Sequence, residues 1–117
     1  MKSLLVISRH PPARPEAREA LDVVLSAAAF EVPCGILFMD DGVFQLLKGQ
    51  DAAQIGQKSL AANLQALPLY GVEDILVCQH SLGERGLQAN QCMLDARAMN
   101  NAEIATLLEH YDQIVTL

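Results

Sequence analysis

Apolar residues in this chain come in short unbroken runs separated by longer stretches with helical spacing, and that alternation predicts an α/β fold. Ser3 to Ser8 is nearly continuous aliphatic sequence, as expected of a strand covered on both faces, and two prolines in Arg9-His10-Pro11-Pro12-Ala13-Arg14 end it. Pro15 suits a first helical position, and Ala17, Ala20, Leu21, Val24, Leu25 and Ala28 then recur at 3.6-residue spacing, while Glu16, Arg18, Glu19 and Asp22 point outward. Gly35 to Met39 reads as a second strand, left through the turn signal Asp40-Asp41-Gly42, and Val43 to Leu47 as a short helical turn. A polar, Gln-rich connection over 48–57 leads to Leu60, Leu64 and Leu67, which define a helix ended by Pro68 and Gly71.

Ile75 to Cys78 is the third strand, followed by a short helix over 81–85 that Gly86 closes. Cys92-Met93-Leu94 is the candidate fourth strand. Asn100 with Glu103 three residues on forms a capping box for a helix with Ile104, Leu107, Leu108 and Tyr111 inward, and Ile114 to Leu117 finishes as a strand. Strands alternating with helices at these lengths imply a mostly parallel sheet of about five strands with helices on both faces. The expected fold is thus a doubly wound, three-layer α/β/α domain covering 1–117.

Composition narrows the function. At 117 residues, folding buries roughly 65% of the surface the unfolded chain exposes, so no staples are needed. Hydrophobic residues make up 51% and aromatics only 4%, which calls for a core of Leu, Val, Ile and Ala with apolar surplus for subunit contacts. The net charge of -6 argues against direct binding of nucleic acid, since such affinity rests on Lys and Arg neutralising phosphates. The first apolar run is too short for a signal peptide or a membrane span, which reads as a cytoplasmic chain.

Cys34, Cys78 and Cys92 make an odd, widely spaced set with neither a CxxC pair nor a Cys/His zinc pattern, so a disulfide framework and a metal site are both disfavoured and each reads first as a small buried hydrophobe. In an open parallel sheet, ligands gather at the carboxyl ends of the strands. Cys78 is placed there with His10, Asp40 and Asp41, whereas Cys34 and Cys92 are expected near the starts of theirs. A thiol with pKa near 8.5 is only about 3% thiolate at pH 7, and a helix starting just after Cys78 would favour its anion or a persulfide. His80 could assist, although His10 and His80 also fit ordinary surface loops, and Asp40-Asp41 a solvated turn. Neither GxGxxG nor a P-loop is present, so no nucleotide or other cofactor is implied. Val43, Phe44, Leu46 and Leu47 crowd four apolar side chains into five positions on a surface connection, which points to a subunit interface or to a flap folded back over the sheet.

Leu37-Phe38-Met39-Asp40-Asp41-Gly42-Val43-Phe44-Gln45-Leu46, Tyr70-Gly71-Val72-Glu73, Val77-Cys78, Ser81-Leu82-Gly83-Glu84-Arg85-Gly86-Leu87 and His110-Tyr111-Asp112-Gln113-Ile114-Val115 together resemble the DsrE/DsrF/DsrH family, in its DsrF-like branch. The resemblance runs nearly end to end. It implies a subunit of a TusBCD-type sulfur-relay complex, a heterohexamer built as a dimer of heterotrimers with TusB-like and TusD-like subunits. That complex takes persulfide sulfur from TusA and hands it to TusE, toward 2-thiouridine at the tRNA wobble position. The resemblance assigns the sulfur-carrying cysteine to the D-type subunit. Cys78 stands at the matching strand end here, but the proline-rich loop 9–15 departs from the Gly-containing loop expected of a D-type chain. The expected role is therefore assembly, as a non-catalytic subunit, with two alternatives: Cys78 as a persulfide carrier, or a DsrF-type subunit of dissimilatory sulfur oxidation.

Overall fold

The computed structural model describes residues 2–47, 55–72 and 74–117, the side chains of 55–59 excepted. Among the described residues, five strands, β1 (Leu4–Ser8), β2 (Cys34–Phe38), β3 (Asp74–Cys78), β4 (Arg97–Met99) and β5 (Gln113–Thr116), form one parallel sheet in the order β4-β3-β2-β1-β5. The helices are α1 (Pro15–Ala29), α2 (Ile55–Gln65), α3 (Gln79–Glu84) and α4 (Asn101–His110), with 3₁₀ segments at Asp40–Leu46, Leu67–Tyr70 and Ala89–Gln91.

Unbroken apolar strands make sense because both faces of the sheet are covered. Val6, Ile36, Phe38, Ile75 and Val77 pack on one face under Ala17, Ala20, Leu21 and Val24 of α1 and Leu60 and Leu64 of α2. Leu5, Ile7, Leu37, Leu76, Cys78 and Met99 pack on the other under Ile104, Leu107 and Tyr111 from the α4 region. Strand order explains this division. From β1 to β4 the chain steps one way across the sheet, so right-handed crossovers place α1 and α2 on one face. The return from β4 to β5 runs the other way and puts α4 opposite.

Local chemistry sets the helix ends. Pro15 opens α1 without sacrificing a hydrogen bond, and Glu16 complements the helix dipole in the first turn. Asn100 and Glu103 cap α4 reciprocally: the Asn100 side chain accepts from the Glu103 N–H at 2.8 Å, and the Glu103 carboxylate accepts from the Asn100 N–H at 3.0 Å. Gly86, at φ 67°, takes the left-handed turn that ends α3, with the Leu87 N–H returning to the Leu82 carbonyl at 2.9 Å.

Two expectations need correction. The fourth strand is Arg97–Met99 and not Cys92-Met93-Leu94, because Leu94 at φ 69° and Asp95 at φ 50° cannot continue an extended strand. Cys92 makes a single antiparallel bridge to Leu47 and buries its side chain in the core beneath α1 and α2, so it does not mark a strand start on the amino rim. The connection expected over 48–57 lies outside the described residues up to 54, and α2 is already helical at Ile55.

At the amino ends of the strands, the Tyr111 hydroxyl donates to Asp74 Oδ2 at 2.5 Å, tying the end of α4 to the start of β3. Gly35 leaves the room for it: a Cβ there would lie 2.5 Å from the Tyr111 hydroxyl and 2.8 Å from Asp74 Cβ. Burial, then the Asp74 carboxylate, pushes the Tyr111 phenol well above its ordinary value. The folded chain therefore holds this proton more tightly than the unfolded chain, so the stability involved is whole below about pH 10 and is lost as pH climbs through the folded value. Tyr111→Phe should cost about 1–2 kcal/mol at neutral pH by urea unfolding, and should lack part of the alkaline loss of stability that the unsubstituted chain shows above about pH 10. Parallel stability curves for the two chains across that range would contradict the assignment.

Candidate functional site

The carboxyl ends of β1, β2 and β3 meet in one rim, and the 3₁₀ segment Asp40–Leu46 is pressed onto it. A Cβ on Gly42 would lie 2.0 Å from the Ser8 carbonyl oxygen and 2.8 Å from the Ser8 carbonyl carbon, so only glycine permits this approach of backbone to backbone. Gln45, 2% exposed in the middle of an apolar run, spends its amide here: Nε2 donates to Ser8 Oγ at 2.8 Å and to the His10 carbonyl at 2.8 Å. With about three residues per 3₁₀ turn, Val43 and Leu46 fall on one face and Phe44 and Leu47 on the next. Val43 and Leu46 are fully buried in the chain's own core, while Phe44 and Leu47 are half-buried. Of the four residues expected either at an interface or in a folded-back flap, Val43 and Leu46 have no exposed surface, and Phe44 and Leu47 keep some.

Cys78 is the last residue of β3 and the N-cap of α3, and its Sγ accepts from the Ser81 N–H at 3.4 Å. The helix therefore begins at the thiol, two residues earlier than its sequence spacing suggested. The residue is 2% exposed and packs in the same cluster as Leu76 and Met99. Around it the two turn segments interlock. The Asp40 N–H donates to Ser81 Oγ at 2.9 Å, and Asp40 itself sits at φ 50°, a conformation Asp tolerates better than most residues. Arg85 donates from Nε to Asp41 Oδ1 at 3.0 Å and from Nη1 to the Ser81 carbonyl at 3.1 Å. Arg9 pairs with Asp40 at 3.3 Å on the solvent side.

Of the residues singled out by sequence, Cys78, Asp40 and Asp41 come together. The two histidines do not join them: His80 is exposed and lies 3.3 Å from Glu84 on its own helix, and His10 faces Glu16 at 3.9 Å. Asp40 and Asp41 are partnered by arginines, which is the chemistry of a structural tie. Cys34 is buried at the start of β2, with Sγ 3.8 Å from the Val24 carbonyl, and burial raises its pKa. All three cysteines are buried. Among the described residues, no three His, Cys, Asp or Glu side chains gather as metal ligands. Ser81, Arg85 and Gln45 escaped the sequence reading. The i, i+4 spacing of Ser81 and Arg85 and the lone polar residue inside Val43–Leu47 were the signals available.

The arrangement holds a thiol at a helix start, with His10 facing Glu16 and His80 facing Glu84. The model of the DsrE/DsrF-like family matches residues 1–117. The chain is 50% identical over 117 residues to the protein TusC homolog of Pseudomonas aeruginosa, covering 99% of this chain and 98% of that protein. It is 37% identical over 118 residues to the protein TusC homolog of Pasteurella multocida, covering 99% of each. Among solved structures, the ychN protein from E. coli superposes with a TM-score of 0.81 at 18% identity, over 100% of this chain and 99% of that one, a likeness of fold.

Gly42→Ala should lower stability by about 1–3 kcal/mol, because backbone meets backbone and no side chain can swing aside. Gly83→Ala, in α3 with nothing within 4 Å of the added methyl, should be neutral or stabilising by up to about 1 kcal/mol. Urea midpoints of the two variants should shift in opposite directions or, at the least, only the first should fall.

Proposed function

The chain belongs to the DsrE/DsrF-like family, and we propose that it serves as the TusC-type subunit of a TusBCD-type complex that passes persulfide sulfur toward 2-thiolation of the wobble uridine of tRNA. The observation that carries this reading is the end-to-end likeness to proteins named TusC homolog, at 50% identity over 117 residues for the one from Pseudomonas aeruginosa. The partners are TusB-like and TusD-like subunits in a dimer of heterotrimers, with TusA delivering sulfur and TusE receiving it. The complex works in the cytoplasm; among the described residues, no helix is long and apolar enough to cross a membrane.

Within the complex the chain's role is assembly. A sulfur carrier must present its thiol to both a donor and an acceptor protein, and a side chain 2% exposed cannot meet either without rearrangement. Phe44 and Leu47, half-buried on the outer face of the 3₁₀ segment, are the portion of that segment that can rest against a partner subunit.

One observation favours the competing reading of Cys78 as a carrier: the Ser81 N–H directed at Sγ at 3.4 Å would stabilise a thiolate or a persulfide anion. Two measurements separate the readings. Deleting the chain should abolish most tRNA thiolation, while Cys78→Ser should leave most of it, with native mass measurement showing the complex assembled in the second case. Loading the complex with a sulfur donor should add no sulfur to this chain. Loss of thiolation in an assembled Cys78→Ser complex, or one added sulfur mapped to Cys78, would transfer the role from assembly to catalysis.

A further inference from the structure

β5 differs from the strands inside the sheet. β2 is buried along its whole length, Cys34 to Phe38, yet none of Gln113, Ile114, Val115 and Thr116 is fully buried, and Ile114 is 41% exposed. Hydrogen bonds show which way its backbone faces. The Gln113 N–H donates to the Ser3 carbonyl at 2.9 Å, the Leu117 N–H to the Ile7 carbonyl at 2.9 Å, and the Leu117 carbonyl accepts from the Arg9 N–H at 2.9 Å. Odd-numbered residues therefore turn toward β1, and by the alternation of a strand the N–H and C=O groups of Ile114 and Thr116 turn outward. β5 ends the sheet, so among the described residues no strand meets them. The opposite edge, β4, is blunted by its three-residue length and by the exposed charge of Arg97. β5 carries no such device: it is uncharged, and Ile114, Val115 and Thr116 are all β-branched, the side chains that pair well across strands.

We propose that this edge is a contact surface for a second copy of the chain, the two β5 strands pairing antiparallel about a two-fold axis at Val115 into one continuous sheet. The edge is complementary to itself in that register. Ile114 of each copy stands opposite Thr116 of the other and the pair exchanges both N–H···O bonds, so every outward group of the strand is satisfied. A register moved two residues toward the amino end would call on Asp112, whose N–H is already committed to Ser3 Oγ at 3.1 Å. Charge sets the direction. A parallel pair would bring the two exposed Asp112 carboxylates side by side, whereas the antiparallel pair sends them to opposite ends of the contact. A two-fold contact also closes on itself and stops at two copies. The contact is between copies of this chain and does not rest on the sulfur-relay reading.

Val115 faces its own counterpart across the axis, a non-hydrogen-bonded pair with Cα atoms about 4.5 Å apart and so within disulfide reach, while the two Ile114 lie diagonally, about 7–8 Å apart, and are not. Under mild oxidation of the full chain, Val115→Cys should therefore give a disulfide-linked dimer by intact mass, and Ile114→Cys about tenfold less of it. The unsubstituted chain, whose cysteines are buried, should give none. In sedimentation velocity the unsubstituted chain should show a monomer–dimer equilibrium, and Thr116→Pro should weaken it by about tenfold or more, because by symmetry it removes an outward N–H from each copy. That N–H makes no bond to β1, so proline spares the ladder that holds β5 in the sheet. Ile114→Lys, at an exposed side chain, gives the same readout through like-charge repulsion if Thr116→Pro folds poorly. A chain that stays monomeric up to about 100 µM, or equal linking of the two cysteine variants, would overturn the contact.

Discussion

The seating of Gly42 on the Ser8 carbonyl is the constraint from which the rest of the carboxyl rim follows. Because no Cβ intervenes, the chain leaving β2 folds back onto the end of β1 and continues as a 3₁₀ segment. That position brings Gln45 within reach of Ser8 and His10 and drives Val43 and Leu46 into the core. It also aims the Asp40 N–H at Ser81 and the Asp41 carboxylate at Arg85. A larger residue at position 42 would displace all of these together, since each depends on where the segment lies and none of them sets it.

How much of this was readable in advance depended on whether the determining interaction was local. The strands β1, β2 and β3, the helix α1 with Pro15 at its start and the reciprocal cap of Asn100 and Glu103 are encoded within a few residues of where they form, and they appear where the pattern placed them. The fourth strand failed for the opposite reason. Arg97-Ala98-Met99 is three residues long and carries a charge, and it becomes a strand only because β3 offers its edge. The more apolar Cys92-Met93-Leu94 is claimed by a different partner, the Leu46–Leu47 stretch, through the Met93 N–H on the Leu46 carbonyl at 2.7 Å.

The candidate site shows the same division. Placing Cys78 at a strand end beside a helix start needed only the order of elements. The fate of Val43, Phe44, Leu46 and Leu47 needed the period of the helix they form. Read as crowded apolar positions, they suggest a surface waiting for a partner; wound at about three residues per turn, two of them turn inward. Arg85 was hard to read as a tie of the rim because Asp41 is joined to it by tertiary contact alone, and only the Ser81 carbonyl lies within one helical turn.

The strand order carries a different consequence, for how the molecule is made. β1 is flanked by β2, which follows soon after it, and by β5, the last strand in the chain; the Ser3 and Asp112 side chains and main chains bind each other across that junction. Until Gln113–Thr116 has been synthesised, the outer edge of the thoroughly apolar β1 offers its backbone groups to any extended segment that arrives first. During translation the nascent chain therefore depends on β5 to deny that edge to strangers, and synthesis interrupted before Gln113 would leave a sheet with β1 still open.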